Sequence, residues 1–176
     1  SIFASKRTNL MKLIVNSFYI LTLLTLLSCG PSAEEKKKQT SQALTAQMPG
    51  TWQITYMSVN IDSYQTAGKD SLFEAREETW ENQFQVKPFR MYFDKDQKYH
   101  QTFRGRDNSL ISEYYGIWKL NGDTLTLTQS DQTLEYKITI ENGQILMTSL
   151  MDWDGDQAED DTYFAKQRLI SKRSVE

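Results

Sequence analysis

Between Glu113 and Asp152 the chain alternates apolar and polar residues in short runs, broken at Asn121-Gly122, Ser130-Asp131 and Asn142-Gly143. A period of two belongs to a strand with one buried face. Asn-Gly accepts the positive φ of a two-residue hairpin turn. This stretch therefore predicts four antiparallel strands in a meander, at about 113–120, 123–128, 133–141 and 144–152.

The rest of the domain extends the same pattern. In 50–60, Trp52, Ile54 and Tyr56 alternate with Thr51, Gln53 and Thr55. "FRMYFDKDQKYHQTFRG" predicts two strands around a turn at Asp94, Lys95 and Asp96. Phe89, Met91 and Phe93 share a face on the first, and Tyr99, Gln101 and Phe103 on the second. "DDTYFAKQRLI" supplies the last of eight strands. Eight is the number that closes a small up-and-down barrel, and closure removes exposed sheet edges. One segment departs from the pattern. "DSLFEAREETWENQF", 70–84, is rich in Glu, Ala and Arg, with Ser71 and Glu74 at capping-box spacing and Phe73, Trp80 and Phe84 on one helical face. It predicts a helix inserted between the first and second strands. The expected fold class is all-β: an eight-stranded antiparallel up-and-down barrel with one helical insert.

The amino-terminal region reads differently. Residues 1–28 carry Lys6, Arg7 and Lys12 and no acidic residue, and 13–27 is an uncharged, mostly apolar run of 15 residues. A charged start, a short apolar run and a small residue, Ser28, describe a secretory signal. A membrane-spanning helix needs about 20 apolar residues. Met11-Lys12 is expected to be the translation start, with 1–10 upstream of it. The single cysteine, Cys29, follows directly in "LLSC" and resembles the lipobox of bacterial lipoproteins. The resemblance implies acyl chains on Cys29, cleavage before it and a membrane anchor, each buried CH₂ adding about 0.8 kcal/mol. An ordinary cleaved signal with an incidental cysteine is the alternative. Residues 29–47 then form the lipidated cysteine and a polar, flexible tether. Glu34 and Glu35, just past the cysteine, resemble the surface-export signals of Bacteroidetes lipoproteins. Residues 48–170 form the domain, and 171–176 a fraying tail. The expected location is the bacterial cell envelope, on the periplasmic or surface face of the outer membrane.

Residues 29–176 hold 17 basic and 23 acidic side chains, a net charge of −6. That disfavours nucleic acid or anionic lipid as the main partner. One histidine, His100, stands alone, and the domain has no cysteine for a thiolate metal site. No catalytic constellation is recognisable, so an enzyme is not expected.

A strand opening with "GTW" (Gly50, Thr51, Trp52), followed by a meander and preceded by a secretory leader, resembles the lipocalin or calycin superfamily. It is most similar to the lipocalin-like lipoproteins of Bacteroidetes. Lipocalins place a basic residue of the last strand over the motif tryptophan. Arg168 in "AKQRL" matches that position, which implies that Trp52 and Arg168 close the barrel. The chain lacks the Thr-Asp-Tyr-like motif that many lipocalins carry. Inward positions expected to meet a small apolar or amphipathic ligand are Tyr56, Met91, Phe103, Trp118 and Tyr136. The alternative is a solid barrel acting as an envelope interaction module, with Trp80, Phe84 and the acidic loop near Asp154 facing a partner. In "DWDGDQAEDD", Asp152, Asp154 and Asp156 have the spacing that opens a calcium loop. Gln157 and Tyr163 break the rest of that motif, so a solvated acidic hairpin tip is the first reading and a Ca²⁺ site the second. No other cofactor is expected.

Overall fold

The computed structural model of the chain describes residues 30–62 and 70–172. The expected signal segment, Cys29 and residues 173–176 lie outside the described residues. The chain divides into two units, Ser1–Glu35 and Lys36–Glu176, and the second holds the barrel.

The elements in chain order are α1 (Ala33–Gln47), β1 (Gly50–Ile61), β2 (Ser71–Arg76), α2 (Glu77–Phe84), β3 (Arg90–Phe93), β4 (Lys98–Arg104), β5 (Leu110–Asn121), β6 (Thr124–Thr128), β7 (Thr133–Glu141), β8 (Gln144–Met151) and β9 (Asp161–Ser171). Strands β3 to β9 follow one another as antiparallel neighbours, and β1 pairs with both β3 and β9. The result is the expected closed eight-stranded barrel with a small helix. Two-residue turns set the register of the meander. Glu141 pairs with Gln144 across Asn142 and Gly143, both at positive φ, and Asn121 pairs with Thr124 across Gly122-Asp123, with Gly122 at φ +66°.

One wall position is shared by two strands. β2 pairs with the second half of β1, Tyr56 to Ile61, and β3 with its first half, Gly50 to Gln53. Helix α2 fills the break between them. The helical insert is therefore shorter than its sequence suggests, because "SLFEAR" is a strand. Phe73 and Ala75 turn inward while Leu72, Glu74 and Arg76 stay exposed, so a period of two outweighs the Ala and Glu content. Ser71 caps nothing. The S-x-x-E box that forms is at the start of α1, where the Ser32 amide donates to Glu35 at 2.7 Å and the Glu35 amide to Ser32 Oγ at 3.2 Å.

The tether expectation for 29–47 is corrected in the same way, since 33–47 is helical. From Lys36 onward, α1 lies against the base of the barrel. Leu44 and Met48 are buried, and the Gly122 amide donates to Ser41 Oγ at 2.5 Å. Sequence periodicity hid this helix because only one of its residues, Leu44, is buried. Among the described residues no helix is long and apolar enough to cross a membrane.

Two glycines answer close approaches. Gly50 of the "GTW" motif has φ +147°, and a Cβ there would meet the Ser171 carbonyl oxygen at 2.6 Å. Gly116, on the inner face of β5, leaves room for the Tyr99 ring and the Thr128 carbonyl.

Candidate ligand site in the barrel interior

A bulge decides which side chains reach the interior. On β1, Trp52 and Ile54 point inward. The pairing with β9 then skips Thr55, Ile54 facing Gln167 and Tyr56 facing Lys166. The extra residue reverses the alternation, so Met57, Val59 and Ile61 are the next inward side chains, all buried. Tyr56 consequently lies on the outside. Its ring is edge-on to Phe164, its hydroxyl meets Glu74, and Arg76 and Lys166 lie over its face at 5.4 and 5.6 Å. Tyr56 is not an interior residue.

Strand alternation also corrects the expected plug. On β9, Tyr163, Ala165, Gln167 and Leu169 face inward, which turns Arg168 outward. Its guanidinium donates to Glu77 Oε1 at 2.9 Å, and its side chain is half exposed. Trp52 is closed over by other groups. Its indole N–H donates to the Met48 carbonyl at 2.8 Å, and Met48 is fully buried. The base of the barrel is thus sealed by the end of α1 and the residue after it.

The remaining expected ligand residues do face inward. Trp118 and Met91 lie in the packed core with Phe93, which is edge-on to Trp118 at 5.9 Å. Phe103 lies between Phe89 at 5.3 Å and Tyr114 at 6.0 Å. Tyr136 lies 5.9 Å from Tyr163. The interior face of β5 grades from Trp118, 1% exposed, to Tyr114, 45% exposed. β6 explains this gradient. It pairs only with Ile117 to Asn121, so the wall beside Tyr114 is low at the end away from α1.

The interior also holds polar groups that the chain does not satisfy. Gln167 is 1% exposed; its amide N–H group lies 3.2 Å from both Met91 Sδ and Met147 Sδ, and its Oε1 has no hydrogen-bond partner. Trp118 Nε1 is likewise without one. The Tyr136 and Tyr163 rings pack against each other on the same inner face. Burial, and secondarily the neighbouring Tyr99, pushes the Tyr136 phenol up to about 12. Burial raises Tyr163 as well. Buried polar groups are normally paired, and leaving one unpaired costs about 1–3 kcal/mol. Gln167 and Tyr163 were missed in the sequence. Their signal was present, since both share the inward phase of β9 with Ala165.

Trp80 and Phe84 do not face a partner together. Trp80 is 4% exposed. It lies 4.7 Å from Phe84 and 5.8 Å from Phe89 and carries the core across the break between β2 and β3. Phe73 continues this aromatic row, 6.0 Å from Phe84 and 5.9 Å from Trp153 in the β8–β9 loop.

In that loop the acidic residues regroup. Oxygens of Asp152, Asp154 and Asp161 lie within 4.8 Å of one another, while Asp156 turns to the Ala158 amide at 2.8 Å. The expected trio of Asp152, Asp154 and Asp156 is therefore not the one brought together. Asp152 accepts from the Gly155 and Gln157 amides at 2.7 and 3.0 Å. Asp161, 1% exposed, accepts from Asp62 and Trp153 at 2.9 and 2.6 Å. Backbone N–H groups of the chain itself set this loop's shape. His100 lies on the outer surface, stacked between Tyr92 and Tyr115, with Nε2 3.2 Å from Glu113.

A closed barrel, sealed at one end and low-walled at the other, has the form of a calyx. The chain matches the lipocalin-like domain family over residues 48–147 and belongs to it. The match ends within β8, and β9 completes the ring on β1. Domains of this kind typically bind small ligands and are not enzymes. No curated protein matches the chain.

Proposed function

We propose that the protein is a lipoprotein of the bacterial envelope, anchored by acyl chains on Cys29, whose barrel takes up a small apolar or amphipathic molecule. The observation that carries the ligand reading is the pair of unpartnered buried polar atoms, Gln167 Oε1 and Trp118 Nε1, within walls otherwise built from apolar side chains. Apolar walls with a few convergent polar groups are what small-ligand sites share. Met91 and Met147, unbranched and polarizable, suit varied apolar shapes. The low wall beside Tyr114 is the entrance. Anchorage rests on the sequence of the leader and "LLSC".

Two experiments test the proposal. An environment-sensitive apolar dye added to the purified full chain should take energy from Trp118 and be released by the bound molecule. Loss of transfer on Trp118→Phe, with dye binding retained, locates the site. Dye that binds without transfer from Trp118 places it elsewhere. Metabolic labelling with a palmitate analogue should mark the protein, and Cys29→Ser should abolish the label and release the protein from membranes. A labelled Cys29→Ser protein contradicts the anchor.

A further inference from the structure

Outside the barrel, α2 and the β3–β4 hairpin enclose a second cleft of about 270 Å³. Its lining carries three cations, Lys87, Arg90 and Arg104. They are neighbours on the sheet surface. Arg90 pairs with Thr102, two residues before Arg104, and the Lys87 amide donates to the Arg104 carbonyl at 2.8 Å. Like charges set opposite one another on a sheet repel. Among the described residues, none of the three forms an ion pair. Lys87 Nζ meets Asn108 Oδ1 at 3.5 Å, Arg90 Nε donates to Gln53 Oε1 at 3.1 Å, and Arg104 Nη1 donates to the Asn108 carbonyl at 2.9 Å. These partners are all neutral. Asp107 is close enough to feel Lys87, but its carboxylate is taken by Ser109.

Two carboxylates line the opposite side. Glu77 is held by Arg168 at 2.9 Å, which leaves Glu81 against the three cations and a net charge of +2. The domain as a whole is acidic, so this concentration of positive charge is local. A dianion would neutralise it, and a phosphate monoester carries about −1.5 to −2 at neutral pH. Two guanidinium groups and an ammonium present donors of the kind that grip phosphate oxygens. We propose that this cleft binds a phosphate monoester, either free in solution or as a lipid headgroup, independently of the barrel interior.

The test uses the full chain in mild detergent, with inorganic phosphate as one probe and short-chain phosphatidic acid as the other, each against chloride at equal ionic strength. Backbone amide shifts at 86–90 and 102–108 should saturate, and Arg90→Gln/Arg104→Gln should weaken the response by at least about tenfold. Saturation by inorganic phosphate assigns a free anion. Saturation by phosphatidic acid alone assigns a headgroup. Without phosphate the double variant should melt no lower than the parent, because it relieves repulsion; with phosphate the order should reverse. Should the double variant fail to fold, Lys87→Gln is read in the same way. Unsaturable shifts with both probes, or a variant that responds like the parent, would overturn the proposal.

Discussion

Trp52 and Arg168 lie on paired strands but on opposite faces of the barrel wall. Trp52 pairs with Leu169 and Gln53 with Arg168, so one step of register separates the indole inside from the guanidinium outside. Their energetic roles should differ accordingly. Trp52→Ala removes a buried side chain and should cost about 3–5 kcal/mol. Arg168→Ala loses an exposed ion pair to Glu77 and should cost less than about 1 kcal/mol. Chemical denaturation of the two variants separates these outcomes. Comparable losses would mean that the arginine seals the barrel after all.

Deleting Thr55 should be far milder than deleting Ser58. Without Thr55, Tyr56 follows Ile54 directly, which keeps Tyr56 outward and Met57, Val59 and Ile61 inward. Without Ser58, Val59 and Ile61 would turn outward and Asn60 inward. Far-ultraviolet circular dichroism with thermal melting distinguishes the two deletions. A Thr55 deletion that unfolds the domain as fully as the Ser58 deletion would show that Thr55 is not the extra residue of the bulge.

The bulge also marks the limit of what the sequence disclosed. Alternation and Asn-Gly turns are local signals, and strands β3 to β9 and their turns were legible from them. An added residue within a regular alternation leaves no local trace, so Tyr56 read as an inward residue. "SLFEAR" fits a strand by period and a helix by composition, and only its pairing with β1 decides. Helix α1 shows too narrow an apolar face for periodicity to reveal. Strand phase alone turns Met91, Phe103, Trp118 and Tyr136 inward. Gln167 is a polar residue on that same apolar phase, so hydropathy does not mark it.

Helix α1 should be required to hold the base closed. Met48→Ala empties a fully buried position beside Trp52 and should cost about 2–5 kcal/mol. Ser41→Ala leaves the Gly122 amide without its side-chain acceptor and should cost about 1 kcal/mol. Urea titration measures both. Unchanged stability in Met48→Ala would mean that the helix end is dispensable.

Alkaline pH should unfold the domain through its buried phenols. Tyr136 is raised from 10.0 to about 12 by burial, and Tyr163 is raised too. The neutral phenol is the form the fold accommodates. Its contribution is complete below pH 10 and is lost as pH rises through about 12. Melting temperature should therefore fall over that window, and Tyr136→Phe/Tyr163→Phe should flatten the fall. An identical fall in the double variant would assign the alkaline transition to other groups.

Native mass spectrometry of the full chain, purified from membranes in mild detergent, tests the interior site most directly. The expected spectrum shows a small-molecule adduct beyond any acyl chains on Cys29, retained by Arg90→Gln/Arg104→Gln and lost in a folded Gln167→Leu/Tyr136→Phe variant. A parent protein that carries the anchor alone, with no adduct even after incubation with a lipid extract of its host, would contradict a ligand-holding barrel.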